Sequence, residues 1–173
     1  RLTDTLLKAL DMAACSYGTM NNVIFGNEKF GFYETICGGT GAGPGYNGCD
    51  AVHQHMTNTR ITDPEIIELR YPVRLENFKI RTDSGGRGKW SGGSGVVRTI
   101  RFLAPVELSV LTQHRTTSPY GMHGGSDGAT GKQWIDRNGQ IHMLSPSDYF
   151  SVETGDIFVI ETPGGGGWGY QAE

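Results

Sequence analysis

Concentrated charge of either sign is missing from this chain. Its 173 residues carry 15 Lys and Arg against 18 Asp and Glu, a formal net charge of −3, with no basic run. A nucleic-acid surface or a polybasic membrane patch therefore has no electrostatic footprint, and neither nucleic acid nor membrane is expected as a partner. No apolar stretch approaches the roughly eighteen residues of a membrane span, and no signal peptide precedes the first helical pattern. Cysteine is scarce: Cys15, Cys37 and Cys49 are an odd number without C-x-x-C spacing, and no N-x-[ST] acceptor occurs. That usage argues against a disulfide framework and for a reducing, cytoplasmic setting. Helical periodicity is scarce too, confined to residues 2–14, with Leu2, Leu6, Leu10 and Ala14 in phase, and to 64–70. The first residues lack a start methionine and an evident N-cap, so the expectation is one domain, 1–173, cut from a longer chain.

What is abundant is glycine. Of 27 glycines, 22 fall in four clusters, at 38–48, 85–95, 121–131 and 164–169. These read as loops, and between them lie nine segments rich in β-branched and aromatic residues: 23–25, 30–36, 78–81, 96–102, 106–112, 133–136, 140–143, 150–152 and 157–161. Arg137-Asn138-Gly139 and Thr154-Gly155-Asp156 read as tight turns. Alternation in 96–102 and 106–112 leaves neither face wholly polar. The expected fold is mainly β (α+β): a two-layer β-sandwich or barrel-like sheets with glycine-rich loops, one N-terminal helix and one short helix near 64–70. Trp168 inside a glycine run predicts a packed tail rather than a flexible one.

Chemistry concentrates in 53–64, His-Gln-His-Met-Thr-Asn-Thr-Arg-Ile-Thr-Asp-Pro. If 52–57 is a strand, His53, His55 and Thr57 share one face. Asp63-Pro64 then reads as an N-cap with proline at the first helical position. The two histidines suit acid–base work or substrate hydrogen bonding; metal ligation, with Asp50 the nearest carboxylate, and plain structural bonding stay open. Arg60 suits a bidentate grip on a carboxylate or phosphate, or a turn-ordering ion pair to Asp63 or Asp50. Gly43 to Gly48 spells G-x-G-x-x-G, but a strand and not a helix is read after it, which speaks against a dinucleotide site. A backbone nest for an anion remains open beside a plain turn. Gly131-Lys132 and Gly88-Lys89 lack the other residues of a phosphate loop. Cys37 and Cys49 read as small packed thiols, and His114, His123 and His142 as surface or loop-packing groups.

A series of motifs in order resembles the hydantoinase B/oxoprolinase family, specifically the C-terminal part of its B portion. They include Gly18-Thr19-Met20-Asn21-Asn22, Tyr33-Glu34-Thr35 before the glycine loop, His55-Met56-Thr57-Asn58-Thr59-Arg60, Thr62-Asp63-Pro64-Glu65, Arg70-Tyr71-Pro72, Pro119-Tyr120-Gly121 and Thr162-Pro163-Gly164-Gly165-Gly166-Gly167. Cys37 and Cys49 depart from the small residues expected there. The resemblance implies ATP-dependent cleavage of a cyclic amide such as 5-oxoproline or a hydantoin. Related ATP-dependent carboxylases acting on acetone or acetophenone, and a non-catalytic β scaffold, are the alternatives. It implies a hydantoinase A-like ATP-binding subunit or N-terminal portion as partner, a lactam substrate and an oligomer. ATP and a divalent metal are expected in the complete enzyme, no cofactor on this piece, and no activity from this piece alone. His53, His55 and Arg60 become the catalytic candidates. Gly41, Gly43, Gly45, Thr57, Asn58, Thr59 and Asp63 become the substrate-binding candidates.

Overall fold

The computed structural model describes residues 2–18, 20–57 and 59–170. All nine strand segments read from the sequence are strands. One sheet joins β1 (Asn21–Asn27), β2 (Phe30–Ile36), β5 (Val106–Leu111) and β8 (Ser147–Val152) in the order β2-β1-β5-β8. The other joins β3 (Val73–Ile80), β4 (Val96–Phe102), β6 (Lys132–Arg137), β7 (Gln140–Met143) and β9 (Ile157–Glu161) in the order β3-β4-β9-β6-β7. Neighbours run antiparallel, and both sheets are open, so the architecture is a sandwich and not a barrel. Asn138 and Gly139, both at positive φ (52° and 85°), make the β6–β7 hairpin turn.

Period-two alternation builds the core. β4 turns Val96, Arg98, Ile100 and Phe102 inward, and β5 turns Val106, Leu108 and Val110 inward. Phe25 of β1 meets Phe32 of β2 at 4.7 Å between ring centres and Phe102 of β4 edge-on at 5.4 Å, which ties the two layers together. The polar member of the inward register is Arg98, whose Nη2 lies 3.0 Å from the Glu34 carboxylate of β2, with both side chains buried. Glu34 also accepts from the Thr62 amide at 2.6 Å. One carboxylate thus pins the opposite sheet and the loop that follows the histidine stretch.

The glycine clusters do not behave as separate loops. They run side by side as extended segments, and the tail 164–167 passes through their middle. Its amides donate in rotation: Gly164 to Ala129, Gly165 to Gly93, Gly166 to Cys15, Gly167 to Ser126. The first and fourth thus address the same segment, a period of three, which is the repeat of a polyproline-II-like helix and not of a strand. Neighbouring backbones come so close that a Cβ on Gly165 would stand 1.9 Å from the Thr40 carbonyl oxygen. Trp168 closes the bundle, buried among Ala14, Ala42, Trp90 and Met122, so the tail is packed as its sequence predicts.

Two local expectations are corrected. The first helix, α1 (Leu2–Ala9), stops five residues early, because Asp11 adopts φ 56° and the chain then joins the glycine bundle, with the Ala14 amide on Ala42 and the Cys15 amide on Tyr120. Residues 52–57 are not a strand. Val52 bridges Gly38 alone, and His55–Thr57 form a 3-10 turn, since Ala51 and His55 both take left-handed φ (53° and 52°) and break the two-residue period. The short helix α2 (Pro64–Arg70) starts as read, with the Asp63 carboxylate accepting from the Glu65 amide.

Candidate functional site

Because 52–57 is a turn, the two histidines part company. His53 lies close enough to Glu34 to feel its carboxylate. Its ring nitrogens are buried without hydrogen-bond geometry to any described residue. Burial pulls its pKa below the ordinary histidine value, against the opposing pull of the Glu34 carboxylate and the nearby Thr57 backbone. A neutral, desolvated imidazole is the result.

His55 faces the other way, into a cavity of about 240 Å³ lined by Asp4, Ser16, Thr40, Gly41, Tyr46 and Gln54 among others. Its Nε2 stands 4.0 Å from Oδ1 of Asp4. Asp4 is buried on α1 and held by Ser16, whose amide and hydroxyl donate to Oδ1 at 3.2 and 2.9 Å. A fixed carboxylate therefore stands opposite an imidazole that keeps partial access to the cavity. The left-handed backbone at His55 is uncommon for a residue with a Cβ, and such strain collects at functional sites.

The glycine loop supplies the opposite wall. Gly43 and Tyr46 exchange backbone hydrogen bonds around Pro44 and Gly45, a turn with proline first and a positive-φ glycine second (97°). A Cβ on Gly43 would stand 2.4 Å from the Tyr46 ring. Gly43 and Gly45 therefore act by seating Tyr46 at the cavity. The Gly41 amide makes no hydrogen bond to described residues, and Gly41 lines the cavity itself.

The remaining candidates are dispersed. Thr57 is buried, its hydroxyl bonded to Tyr17 Oη at 2.5 Å and to the Gln54 backbone, so it fixes the 3-10 turn. Burial raises the Tyr17 phenol pKa, leaving it a neutral donor. Asp63 is engaged as the cap of α2. Thr59 and Arg60 are exposed, and Arg60 forms no ion pair with Asp63 or Asp50 among the described residues. Asn58 lies outside the described residues. Cys37 is buried as read, but Cys49 is exposed. No set of three His, Cys, Asp or Glu suited to a metal occurs among the described residues. Sequence reasoning missed Asp4 and Ser16, twelve residues apart, because α1 reads as an apolar stripe through Leu2, Leu6 and Leu10. Those leucines are exposed, and Asp4 is the buried residue of that helix.

Known proteins resemble this chain throughout. The sequence profile described as hydantoinase B/oxoprolinase matches residues 1–171. The chain is similar to 5-oxoprolinase 1 of Arabidopsis thaliana, 50% identical over 170 residues, which cover 98% of this chain and 13% of that protein. The chain thus spans a small part of the length of that relative. Its fold matches the ATP-dependent caprolactamase from Pseudomonas jessenii with a TM-score of 0.80 at 20% identity, over 95% of this chain and 32% of that one. It matches nucleotide-free acetone carboxylase with a TM-score of 0.74 at 16% identity, over 97% of this chain and 28% of that one.

Proposed function

This chain belongs to the hydantoinase B/oxoprolinase family, and on that premise we propose that it supplies the ring-opening cavity of an ATP-dependent cyclic-amide hydrolase of the 5-oxoprolinase type. The observation that carries the reading is the facing pair in one cavity that Gly41 also lines: His55 with Nε2 toward the buried Asp4 carboxylate, 4.0 Å away.

A lactam carbonyl is a poor electrophile, so it arrives activated from an ATP-handling portion, a hydantoinase A-like subunit or an N-terminal half. The phosphate-loop spacings of this sequence are broken, and no group of three His, Cys, Asp or Glu suited to a metal occurs among the described residues. Within the cavity, His55 takes a proton from the water that bonds to the activated carbon and returns it to the ring nitrogen as the carbon–nitrogen bond breaks, and the phosphoryl group that activated the carbonyl oxygen leaves as inorganic phosphate. Asp4 acts through His55 as a positioning residue, fixing ring orientation and favouring the imidazolium that forms in transit. The Gly41 amide donates to the oxygen on which negative charge develops. Arg60, exposed after the turn, holds the substrate carboxylate bidentately in this reading. His53 stays neutral and structural behind this wall.

The test is made in the full-length protein with 5-oxoproline, following ATP consumed and ring opened separately. His55→Ala is expected to slow ring opening about 100-fold or more, the usual contribution of an acid–base group, while ATP consumption falls less, so the ratio of ATP spent to ring opened rises. Asp4→Asn is expected to shift the pH profile of ring opening, whereas Asp4→Glu restores part of the rate. Unchanged turnover in His55→Ala with a lowered melting temperature would make the cavity a scaffold and overturn the proposal.

A further inference from the structure

A second pair of reactive groups lies in another cavity of about 240 Å³ that Asp4 also lines, together with Cys15, His114, Thr5, Ser118 and Tyr120. Cys15 Sγ is 3.9 Å from His114 Nε2, across 99 positions of sequence. The tautomer of His114 follows from its other nitrogen. Nδ1 lies 2.7 Å from the Thr117 carbonyl oxygen, which can only accept. In the neutral ring the proton therefore sits on Nδ1, and Nε2 presents its lone pair to the thiol. Nucleophile, base and a third group that orients the base are thus in place.

The surrounding backbone is arranged around this contact. The Cys15 amide donates to Tyr120 and its carbonyl accepts from Gly166, locking the thiol into the glycine bundle. His114 is held at φ 51°, a left-handed conformation unusual for a residue with a Cβ. Its ring fills the space where a Cβ on Gly18 would stand, only 2.5 Å away. Glycine at 18, itself at φ 86°, is what lets the imidazole reach the thiol. The Tyr120 hydroxyl donates to the Asp4 carbonyl at 2.8 Å. Burial, with Cys15 and Asp4 alongside, pushes its pKa well above the ordinary range, so it stays neutral.

We propose that Cys15 and His114 form a nucleophilic thiol site, distinct from the His55 cavity, that takes small uncharged carbon electrophiles. His114 Nε2 accepts the Cys15 proton as sulfur attacks the electrophilic carbon. A carbon–sulfur bond forms, the bond to the leaving group breaks with its electron pair, and the proton on His114 passes to solvent. Asp4 lines this cavity too, and its negative charge disfavours anionic reagents; Lys8 Nζ lies 4.3 Å from the centre of the Tyr120 ring. The site needs neither a nucleotide nor the ring-opening reaction, and it stands whether or not the His55 proposal does.

Iodoacetamide is the probe, applied to the full-length protein between pH 6 and 9, with labelling at each cysteine followed by peptide mass spectrometry. In the native protein Cys15 is expected to label at least tenfold faster than Cys37, which is also buried but has its thiol pKa raised to about 11. His114→Gln is expected to lower the Cys15 rate about 100-fold and to move its pH dependence toward that of an ordinary thiol. The exposed Cys49 serves as internal standard and keeps its rate. Equal rates at Cys15 and Cys37, or a Cys15 rate unchanged in a His114→Gln protein that melts normally, overturns the site. Should His114→Gln fail to fold, the Cys15-to-Cys37 comparison in the unaltered protein decides alone.

Discussion

At the residue scale, His53 and Cys37 make stability depend on pH at opposite ends of the range. Burial depresses the folded-state pKa of His53 below the ordinary value of about 6.5. Below about pH 6.5 the unfolded chain binds a proton that the folded chain refuses, so stability is full above that pH and falls as pH drops toward the folded pKa. Thermal melts from pH 7.5 to 5 should show this decline, and His53→Gln should flatten part of it; an unchanged slope would place the acid sensitivity elsewhere. The sign reverses for Cys37, whose thiol is pushed up to about 11 by burial first of all. An unfolded thiol ionises near 8.5, so the Cys37 contribution is full below about pH 8.5 and disappears as pH rises through the folded value. Cys37→Ala should lower the neutral plateau yet remove part of the alkaline loss, as read by urea melts at pH 8, 9.5 and 11.

At the element scale, the glycine bundle and the inter-sheet ion pair make unlike demands on substitution. Gly165→Ala would push a Cβ to 1.9 Å from backbone oxygen, a contact no flexible side chain can relieve; the expected loss is about 3 kcal/mol or failure to fold. Gly31→Ala, in β2 with open space around it, should change stability by less than about 1 kcal/mol. Urea midpoints for the two variants check the contrast, and similar values would show that the bundle yields. Arg98→Met leaves Glu34 buried without its charge partner and should cost about 3–5 kcal/mol. Adding Glu34→Gln, which keeps an acceptor for the Thr62 amide, should recover part of that. The strands were legible because β-branched and aromatic runs bounded by glycine need little context. The opening of β3, residues 73–77, was not, because an edge strand with charged outward residues and a bulge between Leu75 and Asn77 carries a weak pattern. The 52–57 turn was hidden by left-handed backbone at Ala51 and His55, which sequence spacing does not reveal. The bundle stayed invisible because its period of three arises from four segments far apart in sequence.

At the scale of the whole molecule, the candidate site was half legible. His55 and Gly41 were named from local chemistry, whereas Asp4 became visible only once the fold brought α1 against residues 54–55, and His53 is not among the residues that line that cavity. The same packing explains the surface of α1. Asp4 faces inward to Ser16, so the helical phase turns Leu2, Leu6 and Leu10 outward, at 88%, 57% and 58% exposure, next to the exposed Met12. The first sheet adds Ile24, Tyr33, Leu111 and Tyr149 on its outer face. Exposed apolar surface of this kind favours association, and a net charge of −3 opposes it weakly. Expressed as these 173 residues, the chain should self-associate with rising concentration. Replacing both Leu6 and Leu10 by Gln removes apolar surface without touching Asp4 or the cavity, so it should shift the sedimenting species toward monomer while leaving the melting temperature within about 2 °C, the change expected of surface substitutions worth less than roughly 0.5 kcal/mol. A wild-type chain that stays monomeric at high concentration would show that the leucine stripe is tolerated by water as it stands. A double variant that melts markedly lower would instead place those leucines in the packing that holds Asp4 toward His55.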